Sequence, residues 1–235
     1  MLRLDMDERI ILDRAKRFLN EPLTVIYDVG AAHGHWSMLA EELMYGKELR
    51  FHLFEGNINH AAELIPVCDK PTWELIHCAV TEPQKASYGF VSFDLNLLNG
   101  EHSSIVLNDE WVACVKKVVP AVTLDDYSNY TLAYPHLVKI DAEGSELDIL
   151  SGATATLAVN RPVIQFEYGG QWAAHRKTWA DADSVFGAIN YRILRVNEAD
   201  SSFELIPNIG AQPDDYEMRN MVALPEEKVT EWMHG

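Results

Sequence analysis

Between residues 23 and 80 the chain alternates apolar runs with helix-forming stretches, and this alternation constrains the fold more than any other feature. LTVIYDV, RFHLFEG and WELIHCAV read as strands at 23–29, 50–56 and 73–80. The first is mostly apolar rather than alternating, the pattern of a strand covered on both faces. Residues 36–45 and 58–65 read as helices. A β-α-β-α-β order gives a parallel sheet with helices packed on its faces. Ahead of it, residues 5–20 form an amphipathic helix with Ile10, Ile11, Phe18 and Leu19 toward a core.

From 81 to 122 the pattern changes. YGFVSFDL, SSIVL and VKKVVPAV are short alternating stretches between turn residues, and read as β-hairpins inserted into the sheet plan. LDDYSNYTLA is a short helix, HLVKID (136–141) a strand and SELDILSGATATL one helix. In that helix Ile149, Leu150, Ala153 and Leu157 share a face, and Ser145 with Asp148 fits a capping box. RPVIQFEY is the next strand, 172–188 is helical, YRILRV and SFELI pair around NEADS, and NMVALP is the last strand. There is no repeat and no low-complexity linker. One domain is expected over 23–235, behind an N-terminal helix within 1–22 and with 81–122 as a β insertion.

Composition narrows the function classes. The formal charge of −17 opposes a phosphate backbone as partner, so no nucleic acid is expected. Cys68, Cys78 and Cys114 are odd in number and form no C-x-x-C pair, which points to a reducing compartment. The start, MLRLDMDERI, has acids where a signal peptide needs an apolar core. No apolar run approaches the ~18 residues of a membrane span. A cytoplasmic protein without membrane contact is the expectation.

The chemistry gathers at the end of the first strand. In YDVGAAHGHWS, Asp28 is followed by Gly30, Ala31, Ala32, His33 and Gly34, with Ser37 beyond. Ligands of open α/β sheets bind past the carboxyl ends of strands, and small residues let them approach the backbone. A dinucleotide would want G-x-G-x-x-G, with pyrophosphate on the helix N-terminus. Here the spacing is D-x-G-x-x-x-G, and Asp28 would repel a pyrophosphate. A cofactor with cationic groups and no phosphate fits better, and S-adenosyl-L-methionine has those properties. Glu55 ends the second strand, about twenty residues past the glycines, where an acid reads ribose hydroxyls. A nicotinamide cofactor would use Glu55 in the same way.

The second cluster of motifs identifies a relationship. LVKIDAEGSELDILSGA (137–153) resembles the K-I-D-x-E-G-x-E-x-x-x-L-x-G-A signature of the FkbM family of S-adenosyl-L-methionine-dependent methyltransferases. Lys139, Ile140, Asp141, Glu143, Gly144, Glu146, Leu150, Gly152 and Ala153 are all in place. YDVGAAHGHWS, LFEGN, TLDDY at 123–127, the serines of EHSSIVL, QFE at 165–167 and RNMVALP at 219–225 extend the likeness over roughly 23–225. Two positions depart from it: Ala32 stands where the family usually has Asn, and E-G-N (Glu55, Gly56, Asn57) where it often has E-P-N. The resemblance implies an α/β class I methyltransferase fold, a Rossmann-like three-layer sandwich. Its seven-stranded sheet is mostly parallel with one antiparallel strand near the edge. It also implies O-methylation of a sugar, a glycan or a small hydroxylated metabolite, and adenine contacts from Cys78 and Ala79. A degenerate, non-catalytic binding or scaffold protein of the same fold is the alternative, and a dehydrogenase on a related sheet is a third reading.

Methyl transfer to an alcohol needs alignment and a general base. Asp141, at the end of the fourth core strand, is the first candidate base; ordering the following turn is its other reading. Lys139 lies two residues earlier on the same side of the strand and reads as an ion-pair partner of Asp141 or Glu143. His102, in the insertion, is an alternative base. Glu143 and Glu167 are candidate contacts for substrate hydroxyls. His33 and His35 lie in the cofactor loop, whereas His52, His77 and His136 read as packing residues. Trp36, Trp172 and Trp179 read as core. No spacing of His and acids forms a metal site. The acceptor is expected to be a small molecule or glycan, and the N-terminal helix with the inserted hairpins offers a surface for a homodimer.

Overall fold

The computed structural model describes residues 6–96 and 114–235. Helix α1 (Met6–Phe18) leads into β1 (Leu23–Val29), α2 (His35–Leu43), β2 (Glu48–Glu55), α3 (Ile58–Val67) and β3 (Trp73–His77). Then come β4 (Ala79–Val80), α4 (Pro83–Ala86), β5 (Phe90–Asn96), β6 (Cys114–Val122), α5 (Leu124–Thr131) and β7 (Leu137–Ile140). The last third runs α6 (Glu146–Ser151), α7 (Thr154–Asn160), β8 (Val163–Tyr168), α8 (Gly170–Ala174), α9 (Trp179–Ala188), β9 (Tyr191–Asn197), β10 (Ser202–Leu205), β11 (Arg219–Pro225) and α10 (Val229–His234).

The main sheet of the described residues has the order β10-β9-β11-β8-β7-β1-β2-β3. Strands β3, β2, β1, β7 and β8 run parallel, and β11 is antiparallel to both β8 and β9. This is the class I methyltransferase plan, with eight strands instead of the expected seven. The extra strand is β10, which pairs with β9 as the expected hairpin. The chain builds outward from β1 to β3, then crosses back to place β7 on the other side of β1. The switch point therefore lies between β1 and β7, where a crevice opens at the carboxyl ends.

Both faces of the sheet are covered. Tyr27, Val29, Ile140 and Phe166 pack under α6, α8 and α9 through Leu150, Trp172 and Phe186. Ile26, Phe51, Leu53 and Val222 pack on the other side against Ile11, Trp36, Leu39 and Trp232. This two-sided burial is why β1 lacks polar alternation. The insertion forms a second sheet, β4-β6-β5, with its own core of Ala79, Val91, Phe93, Leu95 and Val119. The expected SSIVL strand and His102 lie outside the described residues.

Three elements divide where one was expected. The strand at 73–80 breaks at Cys78, whose N–H bonds back to Ile76 O, and Ala79–Val80 pairs with β6 instead of β2. The helix from 145 breaks at Gly152. There Asp125 turns its carboxylate onto the N–H groups of Ala155 and Thr156 (3.0 and 2.7 Å), capping α7 from another helix. The stretch 172–188 splits because Thr178 and Asp181 form a capping box that starts α9 afresh. The capping box expected from Ser145 and Asp148 does not form. Asp148 is drawn between Lys85 and Lys177, at 2.8 and 2.6 Å, and Glu146 takes the N–H groups of Ala142 and Gly144 instead.

Asp125→Ala removes the only side chain seen capping α7 among the described residues. It is expected to cost about 1–2 kcal/mol, as other N-cap losses do, measured by urea unfolding.

Candidate active site

Strand register sets the site. Asp28 of β1 lies directly beside Lys139 of β7. Asp28 is fully buried and Lys139 is 5% exposed. The ammonium sits 3.5 Å from Asp28 and 3.2 Å from Asp141, and donates to Gly30 O at 3.2 Å. Burial works against the charge on Lys139, but Asp141 and Asp28 outweigh it and hold the group above its ordinary range. Burial raises the Asp28 carboxyl, opposed by Lys139 and by the Ser37 hydroxyl, which donates to it at 2.7 Å.

The loop after β1 passes over this ion pair. A Cβ on Gly30 would stand 1.8 Å from Asp141 O, and Gly30 has φ +78°, so only glycine fits. Gly30 and Ala31 both donate to Phe54 O. Ala32 is left-handed at φ +46°, a conformation that Asn tolerates better than Ala. Its N–H donates to Glu55 Oε2 at 2.7 Å, and Asn57 N–H donates to Oε1 at 2.6 Å. Glu55 thereby joins the two strand-end loops. Burial pushes its carboxyl up to about 7 against the pull of those two bonds.

A cavity of about 300 Å³ opens at this edge, lined by Gly30, Ala32, His33, Glu55, Gly56, Cys78, Ala79, Asp141, Glu143 and Glu167 among others. Asp28, Ala31, Gly34, Ser37, Asn57 and Lys139 are not on its wall. They shape the loop from beneath: Asn57 caps α3 by accepting from Asn59 N–H, and Gly34, at φ +74°, starts α2.

The family model for the methyltransferase FkbM domain matches residues 28–195, which include every described residue that lines this cavity except Met218. The chain belongs to the FkbM methyltransferase family. Its fold is similar to that of methyltransferase FkbM from Methylobacillus flagellatus KT (17% identity, TM-score 0.50), over 88% of this chain and 45% of that one. The chain thus spans less than half the length of that protein. It is also similar to a protein from Staphylococcus aureus provisionally named a caffeoyl-CoA O-methyltransferase (12% identity, TM-score 0.51, 96% and 84% coverage). No curated protein matches the chain by sequence.

In this FkbM domain the signature after β7 builds the acidic side of the cavity. Glu143 at φ +54° and Gly144 at φ +95° turn the chain sharply against α8. A Cβ on Gly144 would meet Gln171 O at 2.8 Å, and the Gln171 amide donates to Glu143 at 3.0 Å. Glu146 lies beneath, bonded by Trp172 Nε1 at 2.9 Å, and burial pushes it up to about 7. Glu167, from β8, faces the same space. Burial, then Asp141, Glu146 and Glu143, push its carboxyl well above the ordinary range, with Lys139 opposing. On the opposite side Cys78 is 5% exposed, and burial pushes its thiol up to about 12, so it is an inert wall residue.

His33 pairs with Glu63 at 2.8 Å and lies beside the tilted rings of His60 and His35, with centroids 4.5 and 5.5 Å away. His52 bonds Tyr127, and His136 accepts from Val25 N–H, as packing residues do. Trp36, Trp172 and Trp179 are buried in the core. Among the described residues no group of three or more His, Cys, Asp or Glu is placed to hold a metal ion. No described helix is long and apolar enough to cross a membrane.

His60, Phe93, Gln171 and Met218 line the cavity and were not anticipated. His60 sits in the first turn of α3, directly after Glu55-Gly56-Asn57, so its place was readable from that motif. Phe93, Gln171 and Met218 arrive from distant segments and carry no local signal.

Lys139→Met leaves Asp28 and Asp141 without their shared cation. The expected loss is about 3–5 kcal/mol at neutral pH. In urea unfolding series the gap from wild type should narrow at acid pH, where the Asp28 carboxyl, raised by burial, takes up its proton. Ala32→Gly relieves the left-handed strain and is expected to add up to about 1 kcal/mol, after glycine's own entropic cost, in the same measurement.

Proposed function

We propose that this methyltransferase moves a methyl group from S-adenosyl-L-methionine to a hydroxyl of a sugar, a glycan or a small hydroxylated metabolite. One observation carries the reading. Among the described residues the cavity wall bears four carboxylates, Glu55, Asp141, Glu143 and Glu167, and no lysine or arginine. A pyrophosphate cofactor would find no permanent cation there, whereas a ligand with a sulfonium and an ammonium is complementary to it. The same wall disfavours a nicotinamide dinucleotide and a nucleic-acid backbone.

The cofactor supplies a methyl group already activated by its sulfonium. Glu55 holds the ribose hydroxyls, and its own bonds to Ala32 and Asn57 fix its orientation beforehand. Glu143 and Glu167 hold the acceptor's hydroxyls. Asp141 takes the reacting hydroxyl's proton onto its carboxylate, and Lys139 keeps that carboxylate in place. Alignment of the acceptor oxygen supplies much of the rate, and proton removal a further ~10²–10⁴-fold.

Glu55 also fixes the sign of the pH dependence. Its carboxyl rises from 4.5 in the unfolded chain to about 7 in the fold. The unfolded chain therefore ionises first, and the free protein loses stability as pH climbs through that window. Ligand hydroxyls donate to the ionised form, so affinity should fall as pH drops below 7, by up to about tenfold per unit. Calorimetric titration with S-adenosylhomocysteine tests this. Micromolar binding with that profile is expected in wild type, and at least tenfold weaker binding in Glu55→Ala. No binding by folded wild type would reject the cofactor. Production of S-adenosylhomocysteine with hydroxylated acceptors, and none with amine or thiol analogues, tests the acceptor class.

A further inference from the structure

The cavity has two unlike sides. Asp141, Glu143 and Glu167 form one, and beyond Glu55 the other is made of Gly56, Phe93, Cys78, Ala79 and Val80, without a charge. Gly56 is not in the left-handed region, so its backbone does not demand glycine. Its neighbour does. A Cβ there would stand 2.7 Å from Phe93 Cε2, 2.9 Å from Cζ and 3.2 Å from Cδ2. The Phe93 ring thus lies flush on the backbone of the residue that follows the ribose-reading acid.

Phe93 is held firmly. It is 7% exposed and packs with Ala79, Val91, Leu95 and Val119. β4 pairs with β6, and β6 with β5, so the ring and Ala79 belong to one small sheet. An aromatic ring beside bare backbone, next to a carboxylate placed for ribose hydroxyls, is complementary to a planar heteroaromatic base.

We infer that Phe93 positions the nucleobase of the cofactor by packing its ring against it, and that Gly56 lacks a side chain so that the ring can reach that place. The inserted sheet is then a wall of the cofactor site as well as an ornament of the fold. This inference rests on the cofactor reading above.

The test is calorimetric titration of the full chain with S-adenosylhomocysteine, with thermal melting of every variant. Phe93→Ala is expected to bind roughly tenfold or more weakly and Phe93→Leu several-fold more weakly, while Phe93→Tyr stays within about twofold of wild type. Gly56→Ala should weaken binding by displacing the ring. In a Phe93→Ala background it should cost less than about twofold, because the ring it would displace is gone. A Phe93→Leu variant that melts like wild type and binds as tightly would overturn the inference, as would a Gly56→Ala cost that is equal in both backgrounds. Wild type that is folded and binds no S-adenosylhomocysteine removes the cofactor reading itself, and this inference with it.

Discussion

The buried ammonium of Lys139 holds the switch point of the sheet together. β1 and β7 are distant in sequence and adjacent in space, and the crevice between their ends is the site. Asp28, at 3.5 Å, lies in β1, and Asp141, at 3.2 Å, directly follows β7. Desolvating Lys139 and Asp28 is expensive, and apolar residues of similar volume would be as stable in such a place. What they would not do is bind Gly30 O, as Lys139 does, and so fix the loop that crosses above. The ion pair is best understood as a device for geometry.

The loop is constrained from both sides. Beneath it, Asp141 O leaves no room for any side chain at Gly30. Above it, Glu55 pulls on Ala32 and Asn57 together. Ala32 accepts a left-handed conformation to make that bond. Strain of about 1–2 kcal/mol at such a residue persists only where neighbours over-determine it. Asn, the usual residue here in the family it resembles, tolerates this left-handed conformation better, which is a backbone reason for that preference.

Much of this was legible in the sequence. The alternation at 23–80 gave the parallel sheet because each helix covers the strands next to it, and local periodicity reports that burial directly. The two signatures located the cavity because strand ends must lie at one edge of a parallel sheet. What was not legible depends on partners far away. Asp148 left its expected capping role because Lys85 and Lys177 converge on it. The helix from 145 broke at Gly152 because Asp125 offers a second helix start. Phe93 reaches the cavity only because Cys78 bends the chain and lets Ala79 join the inserted sheet. None of these contacts has a signal within its own segment.

The acidic wall joins stability to ligand chemistry. Glu55 on the wall and Glu146 beneath it are both pushed up to about 7, and Glu167 on the wall well above its ordinary range, each chiefly by burial. Above the ordinary carboxylate range each one makes the empty fold less stable, since the unfolded chain ionises first. Such groups persist when something bound relieves them. A cationic ligand in the cavity favours the ionised forms and recovers the energy that their burial withholds. Among the described residues the wall carries no lysine or arginine, so a positively charged ligand would meet no permanent like charge on that surface.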